Sequence, residues 1–232
     1  MKRRVVIAID GPGGAGKSTI AKRLADRLNF VYIDTGAMYR AVALWAEREG
    51  KPWDDLLAME QLARAAEIGL ETDPVRVTLN GEDVSGEIRR PEIAQGASKI
   101  SAIPGVRRAL VDKQRQLADR SSVVMEGRDI GTVVFPNADV KIFLDAAPDV
   151  RADRRVKDLA DNAPPPPPKE RVLAELNERD HRDRTRAEAP LMQAPDALLV
   201  DSTGLGIEEV EERILKIVRE KTTNGREIAS GG

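Results

Sequence analysis

Residues Gly11 to Ser18 read Gly-Pro-Gly-Gly-Ala-Gly-Lys-Ser and match the phosphate-loop pattern G-x-x-x-x-G-K-[ST] at every fixed position. The setting of this motif constrains the fold. An apolar run, Val5 to Ile9, stands before it, and Lys17 to Leu28 follows with Ile20, Leu24 and Leu28 on one helical stripe. A strand, a glycine-rich turn and a helix in that order bring successive backbone N–H groups and the positive end of a helix to one point. A polyphosphate fits there, with Lys17 reaching its β and γ phosphates and the Ser18 hydroxyl ligating Mg²⁺. The expected nucleotide cradle is Gly11, Pro12, Gly13, Gly14, Ala15, Gly16, Lys17, Ser18 and Thr19.

The remaining chain continues the alternation. Val31 to Ile33, Val123 to Met125, Val140 to Leu144 and Ala197 to Val200 join Val5 to Ile9 as five strand candidates, and runs apolar on both faces suit a buried parallel sheet covered by helices. Helices are expected over Gly105 to Asp119, with Pro104 at its start and Val106, Leu110 and Leu117 on one side, and over Ile207 to Glu220, stacking Val210, Ile214 and Ile217. Two stretches break the rhythm. Val75 to Leu79 alternates with period two, Asn80-Gly81 supplies a type I′ turn, and Glu82 to Val84 returns: a hairpin in an inserted lobe. Pro164 to Pro168 is a stiff spacer between a basic helix, Arg151 to Leu159, and another starting near Glu170. Thr222 to Gly232 reads as a disordered tail.

Composition removes several classes. The 232 residues hold no cysteine and one histidine, His181, which excludes disulfide scaffolds, thiolate or histidine-rich metal sites and a cysteine nucleophile, and disfavours a Ser-His-Asp triad. A net charge of −2 argues against a dedicated nucleic-acid partner. No run is long enough to span a bilayer, so a cytoplasmic protein with no membrane partner is expected. The Asn-Lys-x-Asp base-reading motif of guanine-specific switches does not occur.

A phosphate loop names the donor and leaves the acceptor open. Gly127-Arg128-Asp129 stands at the carboxyl end of a predicted strand, where ligands of open α/β sheets bind. Arg179, Asp183 and Arg186 fall at i, i+4 and i+7, on one face if the helix continues. Arginine forks match phosphate in bidentate fashion. The set formed by Ile9 to Ser18, Asp34-Thr35-Gly36-Ala37-Met38-Tyr39-Arg40, Gly127 to Pro136, Arg179 to Arg186 and Ala189-Pro190-Leu191 resembles the bacterial cytidylate kinase family, from about Val5 to about Arg219. Gly81 to Arg89 resembles the extra sheet of its longer subfamily.

That resemblance implies an α/β fold of the P-loop NTPase kind: three α/β/α layers, a five-stranded parallel sheet, a short lid at about residues 151–170 and a monophosphate-binding lobe within about 38–105. It implies ATP-dependent phosphorylation of CMP and dCMP to CDP and dCDP in pyrimidine nucleotide metabolism, with Mg²⁺; a monomer is the default expectation. Carried over residue by residue, Thr35 hydrogen-bonds cytosine and Tyr39 lies by the base. Arg40, Arg107 and Arg128 hold the acceptor phosphate. Arg179 and Asp183 meet sugar and base, and Arg186 the base side or phosphate. Ser98 contacts cytosine, Asp129 reads its exocyclic amine, and Arg154 and Arg155 serve the transferring phosphoryl group beside Lys17 and Arg128. The proline run departs from the family's more ordinary lid loop.

The chemistry agrees with the composition. An acceptor phosphate, with its second pKa near ~6, arrives largely ionised and needs no general base, which fits one histidine. The cost is electrostatic: two polyanions must meet in line, and Mg²⁺, Lys17 and arginines offset their repulsion while a lid excludes water. Cytosine's N4 amine suits a carboxylate such as Asp129 or Asp183, which uracil's O4 acceptor would not satisfy. Asp34 is placed either to orient a Mg²⁺-bound water or to cap the following helix. Two alternatives stay open: another small phosphate-loop kinase, or a nucleotide-gated adaptor without turnover.

Overall fold

The computed structural model describes residues 4–72, 75–119, 121–162, 165 and 167–229. Five parallel strands form the main sheet: β1 (Val6–Asp10), β2 (Val31–Asp34), β6 (Val123–Gly127), β7 (Val140–Asp145) and β8 (Leu198–Asp201), in the order β2-β6-β1-β7-β8. The registers Asp10↔Gly127, Asp34↔Glu126, Asp10↔Phe143 and Asp145↔Asp201 align all five carboxyl ends along one edge. The chain leaves β1 toward β2 on one side and reaches β7 on the other, so a crevice opens above β1 where the order diverges.

Alternate residues of β1 enter different layers. Ile7 and Ile9 pack with Leu24 and with Ile214 of the last helix, whereas Ala8 joins Ile33, Val111, Met125 and Ile130 on the opposite face. Helices α1 (Lys17–Leu28) and α8 (Ile207–Ala229) therefore cover one face, and α5 (Pro104–Ala118) the other. Leu24 is fully buried, so Leu24→Ala should cost about 2–5 kcal/mol. On α8 the buried stripe runs Val210, Ile214, Leu215 and Val218, while the expected Ile217 is only half-buried. Arg23 and Arg27 of α1 bind the buried Glu211 between the two helices.

The inserted lobe comprises α2 (Thr35–Arg48), α3 (Leu56–Ala65), a three-stranded antiparallel sheet of β3 (Ile68–Thr72), β4 (Val75–Leu79) and β5 (Glu82–Asp83), and α4 (Pro91–Ile100). Asn80 and Gly81 adopt φ 51° and 86°, as the turn chemistry requires. The lobe shares one core with α5, built on Met38, Leu44, Met59, Ile93, Ile100 and Leu110.

Helices α6 (Pro148–Asn162) and α7 (Lys169–Thr185) pack through Ala152, Val172 and Leu176. Of the proline run between them, Pro164 and Pro166 lie outside the described residues. The tail expected from Thr222 begins as helix, since α8 continues to Ala229; Ser230 to Gly232 lie outside the described residues.

Candidate active site

Strand β1 ends at Asp10 and the chain turns through Gly11 to Gly16 into α1. A Cβ on Gly11, whose φ is +150°, would lie 2.0 Å from the Leu144 carbonyl oxygen, so this glycine serves close packing on β7. Gly16 caps α1 at φ 92° with no side chain on the first-turn N–H groups, which leaves them turned toward the crevice. The Lys17 ammonium donates to the Pro12 carbonyl at 2.7 Å. Burial, then the Arg128 and Arg179 charges, push its pKa down to about 7. An anion beside it reverses that cost.

A cleft of about 930 Å³ spans the carboxyl edge of the sheet. Gly13 to Thr19, Asp34, Thr35, Tyr39, Arg40, Arg107, Arg128, Asp129, Arg154, Arg155, Arg179, Asp183 and Arg186 all line it. Three of the expected residues do not. Gly11 and Pro12 stand behind the loop, one packed on β7 and the other accepting from Lys17. Ser98, buried on α4, accepts a hydrogen bond from Arg182 at 2.7 Å.

Beyond the phosphate loop, cations and carboxylates of the cleft interlock. Arg107 pairs with Asp129, and Arg186 stands 3.7 Å from both Asp129 and Asp183. Arg128 donates to Asp183 at 3.1 Å, and Arg179 lies 3.9 Å from the same carboxylate. Burial works to raise the pKa of Asp183, but Arg128, Arg179 and Arg186 overcome it and hold the group below the usual range. Arg179 is driven down to about 10 by burial and then by Arg128. Arg179 Nε and Arg186 Nη2 have no hydrogen-bond partner among the described residues. Both stand opposite carboxylates at ion-pair distance without closing a hydrogen bond, which leaves donor capacity that suits an anion better than a neutral ligand.

Arg186 departs from the expected helical face. Helix α7 stops at Thr185, and Arg186 is its cap with extended ψ of 144°; its side chain reaches Asp183 because the chain bends there and Arg186 Nε binds the Ala189 carbonyl. Arg154 and Arg155 of α6 both line the cleft. Arg154 donates to Ala15 O, Ser202 Oγ and Ser202 O at 3.3, 2.9 and 2.9 Å, which ties α6 to the phosphate loop and the β8–α8 turn.

Asp34 is the cap of α2, accepting from Ala37 N at 3.0 Å, and its other oxygen holds Arg40 at 2.7 Å. Burial favours its neutral form, but Arg40 and the Ala37 N–H outweigh this and keep it below the ordinary carboxylate range. Thr35 donates to the Glu126 carbonyl at 2.7 Å.

Several site residues escape sequence reasoning. Glu126, buried at the end of β6, accepts from Tyr32 at 3.0 Å, and burial followed by the Asp34 charge raises its pKa. Asp10 accepts from Ile130 N at 2.8 Å and Gly131 N at 2.7 Å, so β1 anchors the π-helical turn Ile130–Val134 that sets the direction of Asp129. Burial lifts its pKa to about 6. The available signal was a carboxylate ending an otherwise apolar strand, which needs a partner to be there at all.

A sheet of order β2-β6-β1-β7-β8 with a phosphate loop after its central strand defines a small P-loop kinase. A solved gluconokinase from Sinorhizobium meliloti 1021 shares this fold, with a TM-score of 0.50 and 16% identity over 96% of this chain and 97% of that one. Residues 7–220 match the cytidylate kinase family model. A cytidylate kinase of Solibacter usitatus is 64% identical over 98% of each chain, and one of Pasteurella multocida 46% identical over 95% of this chain and 97% of its own. The chain belongs to the cytidylate kinase family.

Proposed function

We propose that the cleft transfers the γ-phosphoryl group of ATP to CMP or dCMP, giving ADP and CDP or dCDP, with donor and acceptor on opposite sides of Lys17. One observation carries this reading: Arg40, Arg107, Arg128, Arg179 and Arg186 line the same cleft as the phosphate loop and its Lys17. In this reading residues 38–105 form the acceptor lobe and 151–170 the lid. Arg40, Arg107, Arg128 and Arg179 take the acceptor phosphate, replacing part of their carboxylate pairing with charge-assisted bonds to substrate. Asp129 and Asp183 accept from the cytosine amine and the sugar, Thr35 and Tyr39 border the base, and Arg186 braces Asp129. Ser98 acts through Arg182. Arg155, which lines the cleft near Asp158, is assigned to the migrating group, with Arg154 holding the donor side.

The donor set fits Mg²⁺. The Ser18 hydroxyl lines the cleft beside Tyr32 and Glu126, and no cluster of three or more His, Cys, Asp or Glu side chains able to hold a metal occurs among the described residues. An ion that keeps its waters and is held largely by substrate phosphates needs only such a partial site. When bound at Ser18, Mg²⁺ would neutralise phosphate charge. Lys17 and the arginines hold the phosphates in line, and lid closure excludes water that would otherwise take the phosphoryl group. Among the described residues no helix is long and apolar enough to cross a membrane. The chain acts as a monomer in this proposal.

ADP release measured with CMP, dCMP, UMP and AMP as acceptors tests the reading. CMP and dCMP should be turned over and UMP poorly. Preference for AMP would move the chain to another acceptor, and absence of acceptor-dependent ADP would leave only nucleotide binding.

A further inference from the structure

Between the phosphate loop and the lid helices lies a buried ion pair that the transfer chemistry leaves unused. Arg151, in the first turn of α6, pairs with Asp180 of α7, and both are about 5% exposed (5% and 6%). Each also binds the Gly13 residue of the loop: Gly13 N donates to Asp180 Oδ1 at 3.2 Å, and the Gly13 carbonyl accepts from Arg151 Nη1 at 2.9 Å. Arg151 Nε donates further to Ala146 O at 3.1 Å, just past β7. A Cβ on Gly13 would stand 3.0 Å from Leu176 Cδ2 of α7, so the helix packs directly on the loop. Neither Arg151 nor Asp180 lines the cleft, while Gly13 does.

We infer that Arg151 and Asp180 are positioning residues for the donor phosphates, holding the Gly13 peptide between them and making the root of the lid helices part of the phosphate loop. The argument is one of freedom. A glycine-rich loop presents its N–H groups to a polyphosphate only if its peptides point the right way, and glycine itself supplies no preference. Here one buried ion pair binds both polar groups of Gly13, at once and from outside. Asp180 also follows Arg179, whose side chain faces the acceptor pocket.

The inference rests on the kinase reading for its meaning, but its test does not need an acceptor. Binding of Mg·ADP to the full-length protein is measured by calorimetry, alongside KM for ATP and for CMP and the melting temperature. Asp180→Ala should weaken ADP binding and raise KM for ATP by roughly tenfold, a modest misplacement of reacting groups. KM for CMP should stay within twofold in the same protein. Asp180→Asn, which keeps an oxygen for Gly13 N, should recover most of the ADP affinity. Arg151→Met with Asp180→Leu removes both charges and keeps the interior filled, so it covers the case in which the single variant fails to fold. It should reproduce the loss of ADP affinity. ADP affinity unchanged in folded variants would overturn the proposal, as would a rise in KM for CMP equal to that for ATP. If wild type binds ADP but leaves CMP unphosphorylated, the kinase reading fails while the ADP comparison still decides this one.

Discussion

The two sides of the cleft are built from different materials. The donor side is made mostly of backbone: a six-residue turn, the first turn of α1 and one lysine, all within Gly11 to Thr19. The proposed acceptor side is made of side chains from separate elements: Arg40 on α2, Arg107 on α5, Arg128 and Asp129 after β6, and Arg179, Asp183 and Arg186 at or just past the end of α7. Backbone amides cost nothing to desolvate beyond what the fold already spends, so a short stretch can specify the donor site alone. Burial penalises a guanidinium charge and neighbouring guanidinium groups add repulsion, which together lower the pKa values of Arg179 and Arg186, so each is held by a carboxylate. Such a site has to be cross-braced from several elements.

Lys17→Ala offers the strongest blow to the donor side. It removes the one side-chain cation that this side holds inside the loop, and kcat should fall by at least ~10³-fold. CMP binding measured without ATP should stay within a few-fold of wild type. Equal loss of CMP binding would show that the two sides are one electrostatic unit rather than two.

A smaller effect separates base reading from bracing on the acceptor side. Asp129→Asn keeps the volume but weakens the hold on Arg107 and Arg186, which are both buried at that carboxylate. The preference for CMP over UMP should drop by about 10-fold or more, since a mispaired base leaves buried polar groups unpaired. Stability should fall by about 3–5 kcal/mol where the charge bracing is lost, read from denaturant unfolding. Selectivity intact with stability reduced would leave Asp129 as a brace alone.

How far the sequence reveals each side follows from the same contrast. The loop and the central strands β1, β6 and β7 are legible because parallel strands buried on both faces are continuous apolar runs, and β2 and β8 at the sheet's edges keep short apolar runs although Leu198 and Leu199 are exposed. Their ends are read one or two residues short because Asp10, Asp34, Asp145 and Asp201 close them with carboxylates, which look like loop. Helix α2 hides for the opposite reason. Ala37, Met38, Tyr39, Ala41, Val42, Ala43 and Leu44 are all buried, so no polar face marks a helical period. The π-helical turn after Asp129 depends on Asp10, 120 positions earlier, and no local pattern can announce it. The acceptor arginines are visible as residues but not as a site; the ordered family motifs name them, and only the fold shows which carboxylate each one holds. Arg151 belongs to no motif, and Asp180 lies inside the Arg179 to Arg186 motif without a role read for it.

Lys17 gives the donor side a signature that the acceptor side lacks. Its pKa stands near about 7 in the free protein, below the ordinary lysine value of 10.5, because burial and neighbouring arginines penalise its charge. Bound phosphates favour the charged form and raise that pKa again. Between pH 7 and the raised value, the complex therefore holds a proton that the free protein lacks. ADP binding at pH 8.5 should take up close to one proton, while at pH 6 it should take up almost none, and affinity should weaken as pH rises through 7. Calorimetry in buffers of different ionisation heat reads the number directly. Lys17→Met should abolish the uptake at pH 8.5; CMP binding, whose arginines stay charged, should show no such step.

The smallest expected effect lies at Asp34, where the two sides meet. Its carboxylate caps α2 through Ala37 N and restrains Arg40, so both oxygens are engaged within the acceptor side. A serine keeps the cap and gives up the ion pair; an alanine loses both. Asp34→Ser should therefore be more stable than Asp34→Ala by about 1 kcal/mol, the worth of one N-cap hydrogen bond. Both should alter KM for CMP alike, because both free Arg40. Neither should change the Mg²⁺ concentration that half-saturates turnover by more than about twofold, since a cap and a restraint on Arg40 act on stability and acceptor alone. A several-fold rise in that concentration in both variants would place Asp34 at the metal's waters and move it to the donor side of the boundary.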